Sequence, residues 1–119
     1  MSQTIFERYG GFAAVRKIVS TFYEYCLEDE VMAPYFVDVD MRRQIDHQSK
    51  FISAVMGGPA SYSDDHLQRV HARLGITHEA FLVMAGLFRE AMEDHDMADP
   101  DVAAVMREVV SREHLVVSA

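Results

Sequence analysis

Apolar residues recur every three or four positions in block after block of this chain, and no block alternates with period two. From Phe12, the positions Val15, Ile18, Val19, Phe22, Tyr23, Cys26 and Leu27 keep helical spacing as far as Glu28-Asp29-Glu30. That spacing predicts a long amphipathic helix. Before it, Ile5 to Tyr9 reads as one helical turn, closed by Gly10-Gly11, where a left-handed backbone is tolerated. Pro34-Tyr35-Phe36 reads as a short irregular or 3₁₀ piece, because proline suits a helix start and disfavours its interior. Asp38 or Asp40 can cap a helix running to about Met56, which Gly57-Gly58-Pro59 ends. Residues 60–65 read as loop, and Ser63, Asp64 or Asp65 can cap a short helix through His71, closed by Gly75. Thr77 caps the next helix, with Phe81, Met84, Ala85, Phe88 and Met92 inward. Asp99-Pro100 opens the last, as N-cap and first position, and Val102, Val105, Met106, Val109 and Val110 form its apolar row. With no strand pattern, repeat or linker, residues 1–119 are predicted to form one all-α domain.

Composition narrows the class. Hydrophobic residues make up 50% and charged residues 25%, the balance of a packed globular domain. A net charge of −8 leaves no basic surface for nucleic acid or an anionic membrane. The single Cys26 excludes an internal disulfide and fits a reducing compartment. The start, MSQTIFERYGG, lacks the basic and apolar regions of a secretory signal. No apolar run approaches the ~20 residues of a membrane span. A cytoplasmic monomer is the expectation.

The chemistry concentrates on two helices. Gln44, His47, Gln48, Phe51, Ile52 and Val55 share one face of the third helix, and its first turn is polar where a core stripe should be apolar. Two amides and an imidazole directed inward need something inside to bond. His71, spaced with Leu67, Val70 and Leu74, is expected on the buried face of its own helix. A buried histidine facing a polar cluster across a cavity lined with Phe and Tyr is what a haem pocket requires. Zinc fits poorly: there is one cysteine and no HExxH, and His66 and His71 are five apart, off a shared face. Cys26, on the apolar face of its helix, reads as packing rather than as a nucleophile. The acidic residues scatter over presumed outer faces.

The ordered set Tyr9-Gly10-Gly11, Phe22-Tyr23, Phe36, Val39-Asp40-Met41, His47-Gln48, Phe51, Gly57-Gly58, Tyr62, and Val70-His71 followed by Gly75-Ile76 runs through essentially the whole chain. In it the chain resembles the group I truncated haemoglobins, haem proteins with a shortened globin fold of two helices over two. The resemblance implies haem b held by His71 as proximal iron ligand, with Phe36 packed on the porphyrin. It implies a distal hydrogen-bonding group of Tyr23 and Gln48, with Gln44 at the pocket edge, and places Phe51, Ile52, Tyr62 and Val70 around the cofactor. A cyanobacterial subset adds two expectations. In that subset a histidine at the place of His47 binds iron from the distal side; the plainer reading is a pocket-mouth histidine bonded to a propionate or to water. A histidine of the last helix there bonds covalently to a haem vinyl, and His114 falls at the matching place, one turn beyond Met106 and Val110 and pointing toward the core. Its neighbours Glu113 and Leu115 do not match. Noncovalent contact, or a helix C-terminal histidine favoured by the macrodipole, are the alternatives.

Two donors on bound O₂ would slow its escape by roughly two orders of magnitude, which is poor for delivery. The family suggests nitric oxide dioxygenation to nitrate, with an external reductase, since nothing in this chain reads as a flavin or nicotinamide site. O₂, NO and CO are the expected small ligands. A non-enzymatic O₂-binding, ligand-sensing or electron-transfer haem module is the other class.

Overall fold

The structure is a computed structural model and describes residues 3–60, 62–72 and 74–118. Its helices are α1 (Ile5–Arg8), α2 (Phe12–Glu28), α3 (Met41–Val55), α4 (Asp64–His71), α5 (His78–Asp94), α6 (Asp99–Val110) and α7 (Glu113–Val116), with a 3₁₀ turn at Ala33–Phe36. Among the described residues there is no strand. Four helix starts use a side-chain oxygen to satisfy a free N–H of the first turn. Thr4 and Glu7 form a reciprocal capping box, and Asp40, Ser63 and Thr77 accept from the backbone N–H of Arg43, His66 and Ala80. Of the loop expected over 60–65, Ser61 lies outside the described residues, and the rest carries the Ser63 cap and the first residues of α4.

Four helices make two layers. α2 lies against α3, α5 and the 3₁₀ turn, while α5 lies against α6 and α3 touches α6. The pairs α2/α3 and α5/α6 therefore sandwich one core. It holds Val15, Val19 and Phe22 of α2, Ile52 of α3, Phe81, Phe88 and Met92 of α5, and Val102 and Val105 of α6. The short helices α4 and α7 pack on each other at one end. α1 closes the other end of α3: Phe6 N–H donates to the Met56 carbonyl at 3.0 Å. A Cβ on Gly58 would come within 2.7 Å of the Phe6 ring, so this approach requires glycine.

The structure corrects several expectations. α4 ends at His71 with Ala72 as its cap, and Gly75, at φ +65°, lies in the following loop. Ala98, not Asp99, caps α6, and Pro100 takes the second helical position. The cause is tertiary: the Tyr9 hydroxyl oxygen accepts from the Ala98 N–H at 2.9 Å, which holds Ala98 outside the helix. Leu27 and Val110 are exposed rather than inward, at 47% and 49%.

One acidic residue is not surface solvation. Asp101 is buried and accepts two hydrogen bonds from the Arg8 guanidinium, at 2.6 and 2.9 Å, and one from the Tyr9 hydroxyl at 2.6 Å. The bonds from Arg8, and then from Tyr9, hold its carboxyl below the usual carboxylate range. A depressed folded-state pKa contributes stability that is present above the unfolded value, near 4, and lost as pH falls through the folded one. Asp101→Ala should therefore lower the melting temperature at pH 7 and lower it much less at pH 3. Equal losses at both pH values, read by circular dichroism, would contradict this account.

Candidate functional site

Between the layers lies a cavity of about 80 Å³. α2 gives its wall Phe22 and Tyr23, α3 gives Gln44, Gln48 and Phe51, and α4 gives Leu67 and His71. Tyr35 and Phe36 come from the 3₁₀ turn, Phe81 and Met84 from α5, and Val109 from α6. Arg112, between α6 and α7, and Val116 complete one end. A second, apolar cavity of about 50 Å³ adjoins it, sharing Phe22, Gln48, Phe51, Met84 and Val109, and Ile52 lines this one.

The polar atoms on the wall are few and oriented. His71 is buried, and its Nδ1 lies 2.8 Å from the Leu67 carbonyl one turn back. A carbonyl can only accept, so Nδ1 carries the proton and Nε2 keeps a free lone pair. Burial lowers the His71 pKa, partly opposed by that carbonyl, so the ring is favoured neutral. Tyr23 is 4% exposed, and its oxygen accepts from Gln44 Nε2 at 3.2 Å. Its own hydrogen is thus left to donate elsewhere. Burial pushes the phenol pKa far up, so the proton stays on it. Tyr23 is fixed by edge-on packing against Phe36, with ring centroids 5.5 Å apart.

His47 stands aside from this wall. Its ring is half-buried, and its Nε2 lies 2.7 Å from Nε2 of His66 on α4. Burial, and then the facing His66, lower its pKa. The Tyr62 ring packs against both imidazoles, at 5.4 and 5.0 Å between centroids, and against Phe51. The Tyr62 hydroxyl is buried without a hydrogen-bond partner, and burial pushes its pKa up to about 12. Tyr62 is not on the cavity wall.

Of the residues singled out in the sequence, Tyr23, Phe36, Gln44, Gln48, Phe51 and His71 converge on the main cavity. Val70 and His114 do not. Val70 is 37% exposed, and Leu74 is 45% exposed although it reaches the cavity rim. The buried face of α4 is narrower than expected, carrying Leu67 and His71 alone. His114 is exposed because α6 stops at Val110 and the chain turns at Ser111-Arg112 before α7. That turn breaks the row from Met106 and sends Val116 to the cavity instead. Arg112 was missed: beside its i,i+4 pair with Glu108 it reaches Asp64 and lies 5.8 Å from the Phe51 ring, and no local pattern announces those two distant contacts. Among the described residues, no three metal-ligating side chains cluster.

The fold and this wall have known counterparts. The family model of the bacterial-like globins matches residues 4–118. A group 1 truncated hemoglobin of Mycolicibacterium paratuberculosis is 30% identical over 103 residues, covering 87% of this chain and 76% of that protein. The chain belongs to the bacterial-like globins, as a group 1 truncated haemoglobin. A second relative, from Nostoc sp., is 26% identical over 91% of this chain and 92% of its own. The 2/2 hemoglobin of Synechococcus sp., solved in the cyanomet state with covalently attached heme, superposes with a TM-score of 0.88 at 25% identity, over 98% of this chain and all of that one. Membership implies a haem cofactor and binding of small gases such as O₂. The donor set fits such a group: one buried imidazole with a free Nε2, an aromatic and aliphatic wall, and hydrogen-bond donors from α2 and α3.

Cys26 is fully buried, and burial pushes its thiol pKa up to about 12. The native globin should resist iodoacetamide at pH 8 and react fully once unfolded, as read by mass spectrometry. Prompt labelling of the native protein would return Cys26 to the list of reactive groups.

Proposed function

We propose that this globin holds haem b through His71 and uses Tyr23, Gln44 and Gln48 to hold a diatomic ligand for nitric oxide detoxification, with electrons from an external reductase. The observation that carries this is the Gln44–Tyr23 hydrogen bond. Because Gln44 donates to the phenol oxygen, the phenol hydrogen is free for the cavity, where a polarised O₂ accepts it. Haem, when bound, supplies an iron that takes O₂, NO or CO. His71 offers Nε2 to that iron, and the Leu67 carbonyl fixes the ring and raises its basicity. Phe36 and Phe51 give the porphyrin apolar surface to pack on. Gln48 lies on the walls of both cavities, so it meets a ligand passing between them.

Two hydrogen bonds to a charged acceptor, about 1.5–3 kcal/mol each, suit a protein that retains O₂ until NO arrives. A cytoplasmic setting with a reducing partner agrees with the lone buried Cys26. The rival reading, a non-enzymatic O₂-binding, sensing or electron-transfer module, shares the same cavity. It parts from detoxification only in turnover. Mixing the O₂-loaded globin rapidly with NO should give stoichiometric nitrate, and a reductase should then restore the O₂-binding form. Slow reaction, or no nitrate, would favour the rival.

Tyr23→Phe and Gln48→Leu should each speed O₂ dissociation about tenfold or more while leaving CO dissociation nearly unchanged, because bound CO carries less charge. Equal effects on the two ligands in flow–flash kinetics would mean a steric change instead. The proposal gives His114 no haem role, in contrast to the covalent heme of the Synechococcus structure, since His114 is exposed and off the wall. Haem should therefore extract into organic solvent after reduction and acid denaturation, and haem retained on the polypeptide would reverse this assignment. His71→Gly should lose haem, or hold it only with added imidazole.

A further inference from the structure

His47 lies on α3 between Gln44 and Gln48, two residues of the cavity wall, yet its own ring faces α4. Turned inward from this place, one turn from Gln44 and next to Gln48, an imidazole would compete for the open side of an iron held by His71. Its Nε2 is already engaged. The contact to His66 Nε2, at 2.7 Å, needs a proton on one nitrogen and a lone pair on the other. If His47 accepts, its Nε2 lone pair is used; if it donates, that nitrogen carries hydrogen and has no lone pair. In either tautomer Nε2 of His47 cannot bind metal. The rings lie with centroids 4.7 Å apart, and Tyr62 packs edge-on against both, so the pair is also braced sideways.

We propose that His66 is a positioning residue, a latch that holds His47 against α4 and keeps the distal side of the haem open to diatomic ligands. This rests on the reading of the cavity as a haem site. The latch joins α3 to α4, each of which lends other residues to the cavity wall. Its two partners come from 19 residues apart in the chain. His47 by itself would close the site from within, and apparent ligand affinity would fall by the fraction of closed molecules. His66 sets that fraction without touching the ligand.

The test compares haem-reconstituted wild type, His66→Phe, His66→Gln and His66→Phe/His47→Leu by absorption and resonance Raman spectra of the ligand-free ferric and ferrous states at one pH. Wild type should be high-spin. His66→Phe should raise the low-spin to high-spin ratio about tenfold, the effect of losing one hydrogen bond. His66→Gln, whose side-chain amide can replace the imidazole nitrogen, should return toward wild type. The double variant should be high-spin again, which a merely structural role for His66 would not produce. A wild type already low-spin, or a His66→Phe protein whose low-spin to high-spin ratio is unchanged, overturns the latch. Should His66→Phe fail to fold, the CO-bound wild type still decides: a ¹⁵N–¹⁵N coupling across the His47–His66 bond is expected by NMR, and its absence overturns the latch. Loss of the haem reading itself looks different, since wild type would then take up no haem and show no Soret band.

Discussion

The chemistry of this globin depends on the hydrogen bond between His71 Nδ1 and the Leu67 carbonyl. It joins the side chain to a carbonyl one turn back in α4, so the helix and the buried rotamer of His71 set it together. It fixes the tautomer, and the tautomer decides which nitrogen faces outward as a base. The wall around His71 is apolar and aromatic, and burial keeps the ring neutral. In the proposed haem site, a neutral imidazole already oriented at the edge of the cavity would need little further ordering to take the metal.

α2 and α3 supply the other side of the cavity by the same economy of polar atoms. Tyr23 is buried with Gln44 as its one hydrogen-bond partner among the described residues, and a phenol in that setting holds its proton. Phe36 fixes its ring from the 3₁₀ turn. Tyr23 and His71 are thus each bonded at one atom and free at another, the condition for a site that is stable without ligand and still able to bind one. The apolar cavity beside it reaches Val19 and Phe88 in the core, and Gln48 stands where the two meet.

The polar residues outside the cavity do a different task. Asp101 ties α6 to α1 through Arg8 and Tyr9, and Tyr9 also sets where α6 begins. Thr21 meets His95, and Tyr25 donates to Asp94, where α2 crosses the end of α5. These contacts join helix ends, whereas the core joins helix faces.

Periodicity and capping chemistry made the helices legible, because both act within a few residues and compete with little else. Ser63, Thr77 and Asp40 cap where their side chains can reach a free N–H, whatever the tertiary fold. The inward polar turn of α3 was legible for a related reason: a helix face is set by local geometry, so amides on an apolar face must enter the interior. Pairings between distant segments were not. Ser49 and Ser53 lie outside the face named from the α3 pattern and are fully buried, because α3 is covered on more than one side. Asp101 read as solvated and is buried by residues more than ninety positions away. His114 read as a continuation of α6, and a turn at Ser111-Arg112 moved it into solvent while Val116 took the cavity. His47 and His66 gave no sign of each other, since nothing local fixes how α4 lies across α3. The sequence by itself determined most of the apolar faces and, to within a residue or two, where the side-chain-capped helices start. Only the tertiary structure decided which of those faces meet, because packing depends on the shapes of two partners and neither chain segment contains the other.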